Sequence, residues 1–391
     1  MKALCWEGKQ NVMVKNVNDP KILRPDDVII RITTAAICGS DLHLYNGYVP
    51  SMQKGDILGH ENMGEIVEVG PAVKKLKVGN KIVVSFDIGC GKCYHCERQE
   101  FSVCDNSNPN RHLVDAMYGH GGAGLFGFSH LNGGYAGGQA QFLRVPYAEV
   151  NSVVVPNDIA DEKVLFLSDI FPTGWMAAEN CDIKPGDTVA IWGAGPVGQM
   201  AIRSAFLQGA ERVIAIDHIE SRLQLAERAG AECVNFDQTE EGILDELAFL
   251  TGGVGPDSCL DAVGLEAHGH SVTALLDRAK AAVGLATDRP DVLRQAIQAC
   301  RKAGTVSVPG VYAAFLDKIP FGAAFAKGLK FKMGQTHTQK YMAPLLERVL
   351  EGEIDPSEII SHRIDIDEGP QAYHDFNVDK ENVRKVVIKM H

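Results

Sequence analysis

The chain has 391 residues, more than one ordinary domain needs, so we expect two domains. Apolar residues make up 45% and charged residues 23%, which excludes a disordered or fibrous protein and indicates a sizeable core. The net charge of −12, without a cluster of lysines or arginines, argues against binding to nucleic acid or to anionic lipid.

The start of the chain and its hydropathy set the expected compartment. Residues 1–8 lack the apolar core of a signal peptide, and no run of about 18 uncharged apolar residues would span a bilayer. We therefore expect a cytoplasmic protein without membrane contact. In a reducing compartment the ten cysteines would not form a disulfide framework, so regular spacing among them points to metal binding.

The first part of the chain, up to about Pro156, predicts a mainly antiparallel β domain. Short β-branched runs such as 28–32 and 81–84 are separated by Gly, Pro and Asp, which is typical of strands joined by long loops. Cys38 follows a strand expected to end near Ile37, and His60 comes about twenty residues later. A thiolate and an imidazole are ligands that zinc prefers.

Asp169 lies where the two predicted domains meet and is the candidate third ligand. Three protein ligands leave the fourth position of zinc to water or substrate, which is typical of a catalytic site. Taken singly, these residues have other interpretations: a core cysteine at 38, a helix cap at Asp169 and a buried ion-pair partner at Glu61.

Four further cysteines form a turn-rich loop with the pattern C-x2-C-x2-C-x7-C: Cys90, Cys93, Cys96 and Cys104. Four thiolates in so short a loop surround one zinc ion at about 2.3 Å and leave no position for substrate, which predicts a structural site. An iron–sulfur cluster takes the same ligands and remains the alternative.

The second part, from about Pro185, predicts a parallel sheet of the doubly wound Rossmann type. The expected strands, which alternate with helical segments, are residues 188–192, 212–216, 258–263 and 305–308. A connection at about 265–300 is longer than a simple crossover needs. Beyond Gly334, a helix at 341–351 and a closing strand at 384–388 are expected to return to the first domain.

These elements predict that the chain is divided into three parts. They are a catalytic domain at 1–170 with a metal lobe at about 88–105, a cofactor domain at 171–334 with the 265–300 insertion, and a C-terminal return at 335–391.

A glycine pattern, G-A-G-P-V-G at 193–198, follows a predicted strand and opens a helix, the context in which it indicates dinucleotide binding. Gly193 would permit the tight turn, Gly195 the approach of the pyrophosphate, and Gly198 close packing of helix on sheet. Asp217 ends the next strand, where its carboxylate would bind ribose and repel a 2′-phosphate, which favours NAD over NADP.

Two observations qualify the cofactor prediction. His218 and Arg222 follow Asp217 and would weaken the preference for NAD. The alternative interpretation of Arg222 is an ordinary charged residue on the exposed surface of a helix. A tight turn without a cofactor is the alternative interpretation of the glycines.

Together these motifs resemble the zinc-containing medium-chain alcohol dehydrogenases over essentially the whole chain, most closely the glutathione-independent formaldehyde dehydrogenases. The match to the superfamily rests on the cysteine loop and on residues 59–61, 137–140, 193–198 and 261–264. The closer match rests on 168–174, 264–270 and the insertion before 308–310. The resemblance implies a Rossmann domain plus a GroES-like catalytic domain, two zinc ions per subunit and NAD.

The resemblance also implies roles for single residues. Cys38, His60 and Asp169 would bind the catalytic zinc, with Asp169 in place of the cysteine found in much of the superfamily, and Glu61 would be a candidate transient ligand. Ser40 would take the substrate proton and His43 would end the relay. The cofactor contacts implied beyond those named above are Thr173, Pro196, Val197, Pro309 and Arg384.

The function expected is hydride transfer from a small alcohol or hydrated aldehyde, formaldehyde favoured, to NAD. The alternatives are a polyol or secondary-alcohol dehydrogenase, a formaldehyde dismutase that retains NAD, and a zinc- and nucleotide-binding protein without catalysis.

Phe86 resembles a wall of the substrate pocket, and the glycine-rich run 119–138 either shapes the pocket entrance or forms a surface turn. A homotetramer or dimer is expected, because relatives assemble through the edge of the cofactor domain's sheet.

Overall fold

A computed structural model describes residues 1–264, 290–312, 316 and 318–390. The chain forms two compact units, Met1–Pro172 with Thr336–His391, and Thr173–Gln335. Residues 265–289 of the expected insertion, with most of the 264–270 motif, lie outside the described residues. The end of the insertion forms a helix, Asp291–Ala299.

The first unit contains β-strands in three sheets. They are β1 (Lys2–Gly8), β2 (Asn11–Asn16), β3 (Val28–Ile37), β4 (Asp56–Ile57), β5 (Glu61–Val69), β6 (Lys81–Val84), β7 (Asp87–Ile88), β8 (Gly124–Leu125), β9 (Phe142–Val145) and β10 (Ser152–Val154). The second unit contains β11 (Thr188–Trp192), β12 (Arg212–Asp217), β13 (Glu232–Asn235), β14 (Ser258–Asp261), β15 (Thr305–Val308) and β16 (Lys330–Met333). The first unit ends with β17 (His362–Asp365) and β18 (Val386–Lys389).

The largest sheet of the first unit has the order β10-β6-β5-β3-β18-β17, and β9 also pairs with β3. All of its pairs are antiparallel except β17 with β18, which confirms the predicted mainly antiparallel domain. β3 contains the predicted 28–32 run and ends at Ile37, as the sequence predicted, and most of its residues are buried in the interior of the sheet. The last strand of the chain is therefore hydrogen-bonded beside β3, near the start of the chain.

The α-helices, in chain order, are α1 (Gly39–Tyr45), α2 (Arg111–Tyr118), α3 (Asp161–Val164), α4 (Ile170–Glu179), α5 (Pro196–Leu207), α6 (Glu220–Arg228), α7 (Ile243–Leu250), α8 (Asp291–Ala299), α9 (Phe321–Lys327), α10 (Thr338–Leu350) and α11 (Gly369–Val378). The helix predicted at 341–351 thus begins earlier, at Thr338, and the closing strand predicted at 384–388 begins later, at Val386. No helix in the described part of the chain is long and apolar enough to cross a membrane.

The second unit is a parallel sheet in the order β13-β12-β11-β14-β15-β16. This is the doubly wound order with the first strand beside the fourth, which confirms the predicted Rossmann fold. Its two outermost strands, β13 and β16, were not predicted from the sequence. Both are short and largely polar or exposed, because each has a neighbour on one side only.

Candidate active site

Cys38, His60 and Asp169 converge in the first unit. Cys38 follows β3, His60 precedes β5, and Asp169 lies between a 3-10 turn at Leu165–Ser168 and helix α4. Cys38 Sγ lies 3.8 Å from Asp169 Oδ2, and His60 Nε2 lies 3.3 Å from the same oxygen. A tetrahedral zinc ion with bonds of about 2.0 to 2.3 Å separates its ligands by about 3.3 to 3.8 Å. The three buried donors therefore fit zinc in both chemistry and spacing.

The carboxylate of Asp41 faces the imidazole of His60. Its Oδ1 lies 3.1 Å from His60 Nδ1, while its Oδ2 accepts hydrogen bonds from the Cys38 amide (2.9 Å) and from Gln139 Nε2 (3.3 Å). The other ring nitrogen, Nε2, faces Asp169 and is the candidate ligand atom. Burial alone would lower the pKa of His60, but the carboxylates of Asp41 and Asp169 raise it well above its ordinary value. A metal ion must displace that proton, so zinc binding here weakens in acid.

Glu61 does not join the three ligand candidates in the structure. Its carboxylate forms an ion pair with Lys385, and both side chains are 0% exposed. Burial raises the pKa of the Glu61 carboxyl, and Lys385 offsets part of that rise. Burial acts to lower the pKa of Lys385, but the charges of Glu61, Cys38 and Asp169 outweigh it and raise the pKa. Lys385 thus keeps its positive charge beside the ligand candidates.

The predicted proton relay lies on helix α1. Ser40 Oγ is 4.0 Å from Cys38 Sγ, so the hydroxyl lies next to the ligand candidates. His43 is three residues further along α1, on the same helix surface, and is 9% exposed. Its ring centroid lies 6.5 Å from that of Tyr48.

Two phenylalanine rings flank His60. The ring centroid of Phe86 lies 6.2 Å and that of Phe128 6.4 Å from the imidazole, and both contacts are edge-on. Phe128 belongs to the glycine-rich run 119–138, so this run reaches the candidate site. The surroundings of the ligand candidates are therefore apolar on two sides.

The four-cysteine loop brings its sulfur atoms together. Cys90 Sγ lies 4.0 Å from Cys96 Sγ, and Cys93 Sγ lies 3.9 Å from Cys104 Sγ. The Asn106 side chain donates to Cys90 Sγ at 3.3 Å, and the Asn106 amide donates to Cys104 Sγ at 3.4 Å. Such donors stabilise thiolates, and the four buried sulfurs fit one tetrahedral zinc ion with no ligand position left open.

In the second unit, the glycine motif lies between β11 and α5. Gly193 has a φ of +87°, and a Cβ atom at Gly198 would lie 1.8 Å from the Gly193 carbonyl oxygen, so neither position accepts a larger residue. At Gly195 the nearest heavy atom to an added Cβ is Arg222 Nη1, at 3.7 Å, which leaves the backbone accessible. Pro196 and Val197 begin α5, with Pro196 at its first position.

Asp217 and Arg222 lie at the same turn. Asp217 Oδ2 accepts a hydrogen bond from the Ala194 amide (2.8 Å), within the glycine motif, and lies 3.8 Å from Arg222 Nη1. Asp217 Oδ1 accepts from the amides of His218 (2.7 Å) and Ile219 (3.1 Å). The structure thus brings the acidic residue, the arginine and the glycines into one group.

Three other predicted cofactor contacts are spread over the chain. Thr173 lies on α4 and Pro309 follows β15, both in the unit that holds the glycine motif. Arg384 belongs to the first unit, where its amide donates to Ser361 Oγ at 2.9 Å. Their roles stay predictions.

Three residues of the site were not predicted from the sequence: Asp41, Phe128 and Lys385. Asp41 lies three residues after Cys38, at a helix N-terminus, and this spacing is a signal that would have found it. Phe128 and Lys385 carry no such local signal, because the first lies in an irregular run and the second resembles an ordinary strand lysine.

Asp87 is buried next to Phe86, and its stability effect is testable. Burial raises its pKa from 3.8 to about 8. Between about pH 4 and pH 8 the folded chain keeps a proton that the unfolded chain releases, so this group makes the protein less stable as the pH rises. We expect Asp87→Asn to raise the melting temperature, more at pH 8 than at pH 5.

Differential scanning fluorimetry at both pH values measures this effect, with the exposed Asp158 changed to asparagine as the matched control. A melting temperature of Asp87→Asn equal to or below that of the unmodified protein at pH 8 would contradict the prediction.

Comparison with known proteins gives the family. Residues 24–156 match the alcohol dehydrogenase GroES-like domain, and residues 196–286 match the zinc-binding dehydrogenase domain. A zinc-type alcohol dehydrogenase-like protein of Bacillus subtilis is 40% identical over 392 residues, with 100% of both chains covered. The glutathione-independent formaldehyde dehydrogenase of Pseudomonas aeruginosa is 34% identical, with 100% of this chain and 98% of the other covered.

The fold comparison agrees. An alcohol dehydrogenase from Thermus sp. ATN1 aligns with a TM-score of 0.83 and 33% identity, with 100% of both chains covered. These matches confirm the predicted GroES-like domain and the resemblance to both groups of dehydrogenases. The chain therefore belongs to the zinc-type alcohol dehydrogenase family of oxidoreductases.

Proposed function

We propose that this protein oxidises a small alcohol or a hydrated aldehyde, with hydrated formaldehyde favoured, and transfers the hydride to NAD. The observation that carries the proposal is the buried cluster of one thiol, one imidazole and one carboxylate at Cys38, His60 and Asp169. The similarity to a glutathione-independent formaldehyde dehydrogenase over the whole chain supports the choice of substrate.

The proposed roles follow from the position of each side chain. A zinc ion held by Cys38, His60 and Asp169 would supply a Lewis acid for the substrate oxygen. Ser40, beside Cys38, accepts the substrate proton, and His43 on the same surface of α1 receives it next. The flanking rings of Phe86 and Phe128 exclude water and limit the size of the substrate.

NAD is the proposed hydride acceptor. The accessible backbone at Gly195 leaves room for a pyrophosphate, and the N-terminus of α5 favours its negative charge. The Asp217 carboxylate, at the same turn, suits ribose hydroxyls and repels a 2′-phosphate. Arg222 lies close enough to Asp217 to reduce that repulsion, so the expected preference for NAD over NADP is strong without being absolute.

Initial rates with formaldehyde, methanol, ethanol, propan-2-ol and a polyol, each with NAD and NADP, test the proposal. We expect the highest kcat/KM with formaldehyde, and a value at least about tenfold higher with NAD than with NADP, which corresponds to about 1.4 kcal/mol. A higher kcat/KM with propan-2-ol or the polyol would contradict the choice of substrate. Equal formation of methanol and formate without free NADH would show a dismutase instead.

We also propose a homo-oligomer and a cytoplasmic location. β16 is an outermost strand of the Rossmann sheet, its Met333 is 64% exposed, and Phe321 (66% exposed) stacks on Phe331 of the same strand, an apolar edge that a second copy would cover. Sedimentation velocity measures the assembly. None of the ten cysteines forms a disulfide, which suits a reducing compartment.

A further inference from the structure

Lys385 and Glu61 lie on either side of the end of β3, the strand that leads into Cys38. Glu61 pairs with Ala36 in β3, and Val386 pairs with Ile37, so the same register places Lys385 opposite Cys38. The two charged side chains meet in a fully buried ion pair. Burying two charges is costly, and apolar replacements are often equally stable, so stability alone does not explain this pair.

The Glu61 carboxylate has one oxygen engaged and one available. Lys385 holds Oε2, whereas Oε1 has no hydrogen-bond partner within the described part of the chain. Glu61 directly follows His60, and a carboxylate oxygen is a ligand that zinc accepts. A fourth protein ligand would close the coordination sphere, as the four sulfurs of the cysteine loop do, and would leave no position for substrate.

We propose that Lys385 is a positioning residue that holds the Glu61 carboxylate away from the catalytic zinc and so keeps the substrate position open. The inference rests on the proposed function, because it takes Cys38, His60 and Asp169 as the zinc ligands. Charge balance supports it. The thiolate and the carboxylates of Asp169 and Glu61 carry three negative charges, which zinc and Lys385 together offset.

Asp41 adds a fourth negative charge to this region. Hydrogen bonds from the Cys38 amide and Gln139 already stabilise its carboxylate, which also faces His60. Lys385 remains the group that binds Glu61. Without its ammonium group, the buried carboxylate would have the zinc ion as its best available partner.

The test measures how fast the zinc-loaded protein releases its metal to a chelator. In Lys385→Met, which keeps an unbranched side chain one atom shorter and removes the charge, we expect the zinc ion at Cys38, His60 and Asp169 to leave roughly tenfold more slowly or slower still. An effect of this size is seen when groups around a metal site change. The double variant K385M/E61Q should release zinc at the rate of the unmodified protein. Lys389→Met, on the same part of the chain and paired with Glu162, is the matched control and should change nothing.

Cobalt substitution gives a second measurement. Added imidazole should shift the visible absorption of the cobalt-loaded unmodified protein, which has an open position, and should not shift that of K385M. Zinc release from K385M as fast as from the unmodified protein, or slow release that persists in K385M/E61Q, would overturn the inference.

If K385M does not fold, Lys385→Gln, which has the same length as methionine and is polar but also neutral, carries the same measurements and the same criteria. An unmodified protein that binds only the zinc ion of the cysteine loop would contradict the proposed function itself, so the two failures are distinguishable.

Discussion

Replacing Asp169 with asparagine is expected to remove the catalytic zinc ion and to lower kcat/KM by about three orders of magnitude or more. The asparagine side chain has nearly the same shape, but its neutral amide is a poor ligand, so only Cys38 and His60 would hold the metal. Because Asp169 Oδ2 lies within 4 Å of both other donor atoms, its loss affects the whole cluster. Elemental analysis should show one zinc ion per chain in the variant and two in the unmodified protein.

The exposed Asp158 serves as the matched control, and Asp158→Asn should retain both zinc ions and full activity. Binding of NAD, measured by fluorescence titration, should survive in Asp169→Asn, since the glycine motif lies in the other unit. A variant that kept both zinc ions and its activity would show that Cys38, His60 and Asp169 do not hold the catalytic metal.

Replacing Cys96 with serine is expected to release the second zinc ion and to lower the melting temperature by roughly 10 °C or more. The cysteine loop has few apolar contacts of its own, chiefly with Ala123, Phe101 and Tyr147, so the metal supplies much of its stability. Turnover measured at low temperature should fall far less than in Asp169→Asn, because this site has no open ligand position.

The exposed Cys233 provides the control, since Cys233→Ser removes a thiol without touching the loop. Metal analysis and thermal unfolding of both variants measure the effect. Iron and sulfide in the purified protein would show that the four cysteines hold an iron–sulfur cluster, and an unchanged melting temperature would exclude a structural role.

The parts of the site that could be predicted from the sequence are those whose residues are close together in the chain. The cysteine loop and the glycine motif each fit within 15 residues, and their spacing alone indicates the chemistry. Asp169 is different, because more than a hundred residues separate it from His60. It was proposed as the third ligand through its place between the domains and through the family resemblance.

Lys385 could not be predicted in the same way. Lysine is almost never fully buried unless it is paired, and a lysine before a short apolar strand normally faces solvent. Its role depends on strand order, since β18 pairs with β3 and brings a residue near the end of the chain opposite Cys38. That pairing is a long-range contact that local patterns do not encode.

The place of β18 in the first unit has a consequence for how the protein is made. The strand lies between β3 and β17, so the sheet around Cys38 is incomplete until nearly all 391 residues have left the ribosome. The Rossmann unit, a continuous segment, is free to fold earlier during synthesis. We therefore expect loss of the last strand to leave nascent chains with an unpaired β3 edge, prone to aggregation and dependent on chaperones.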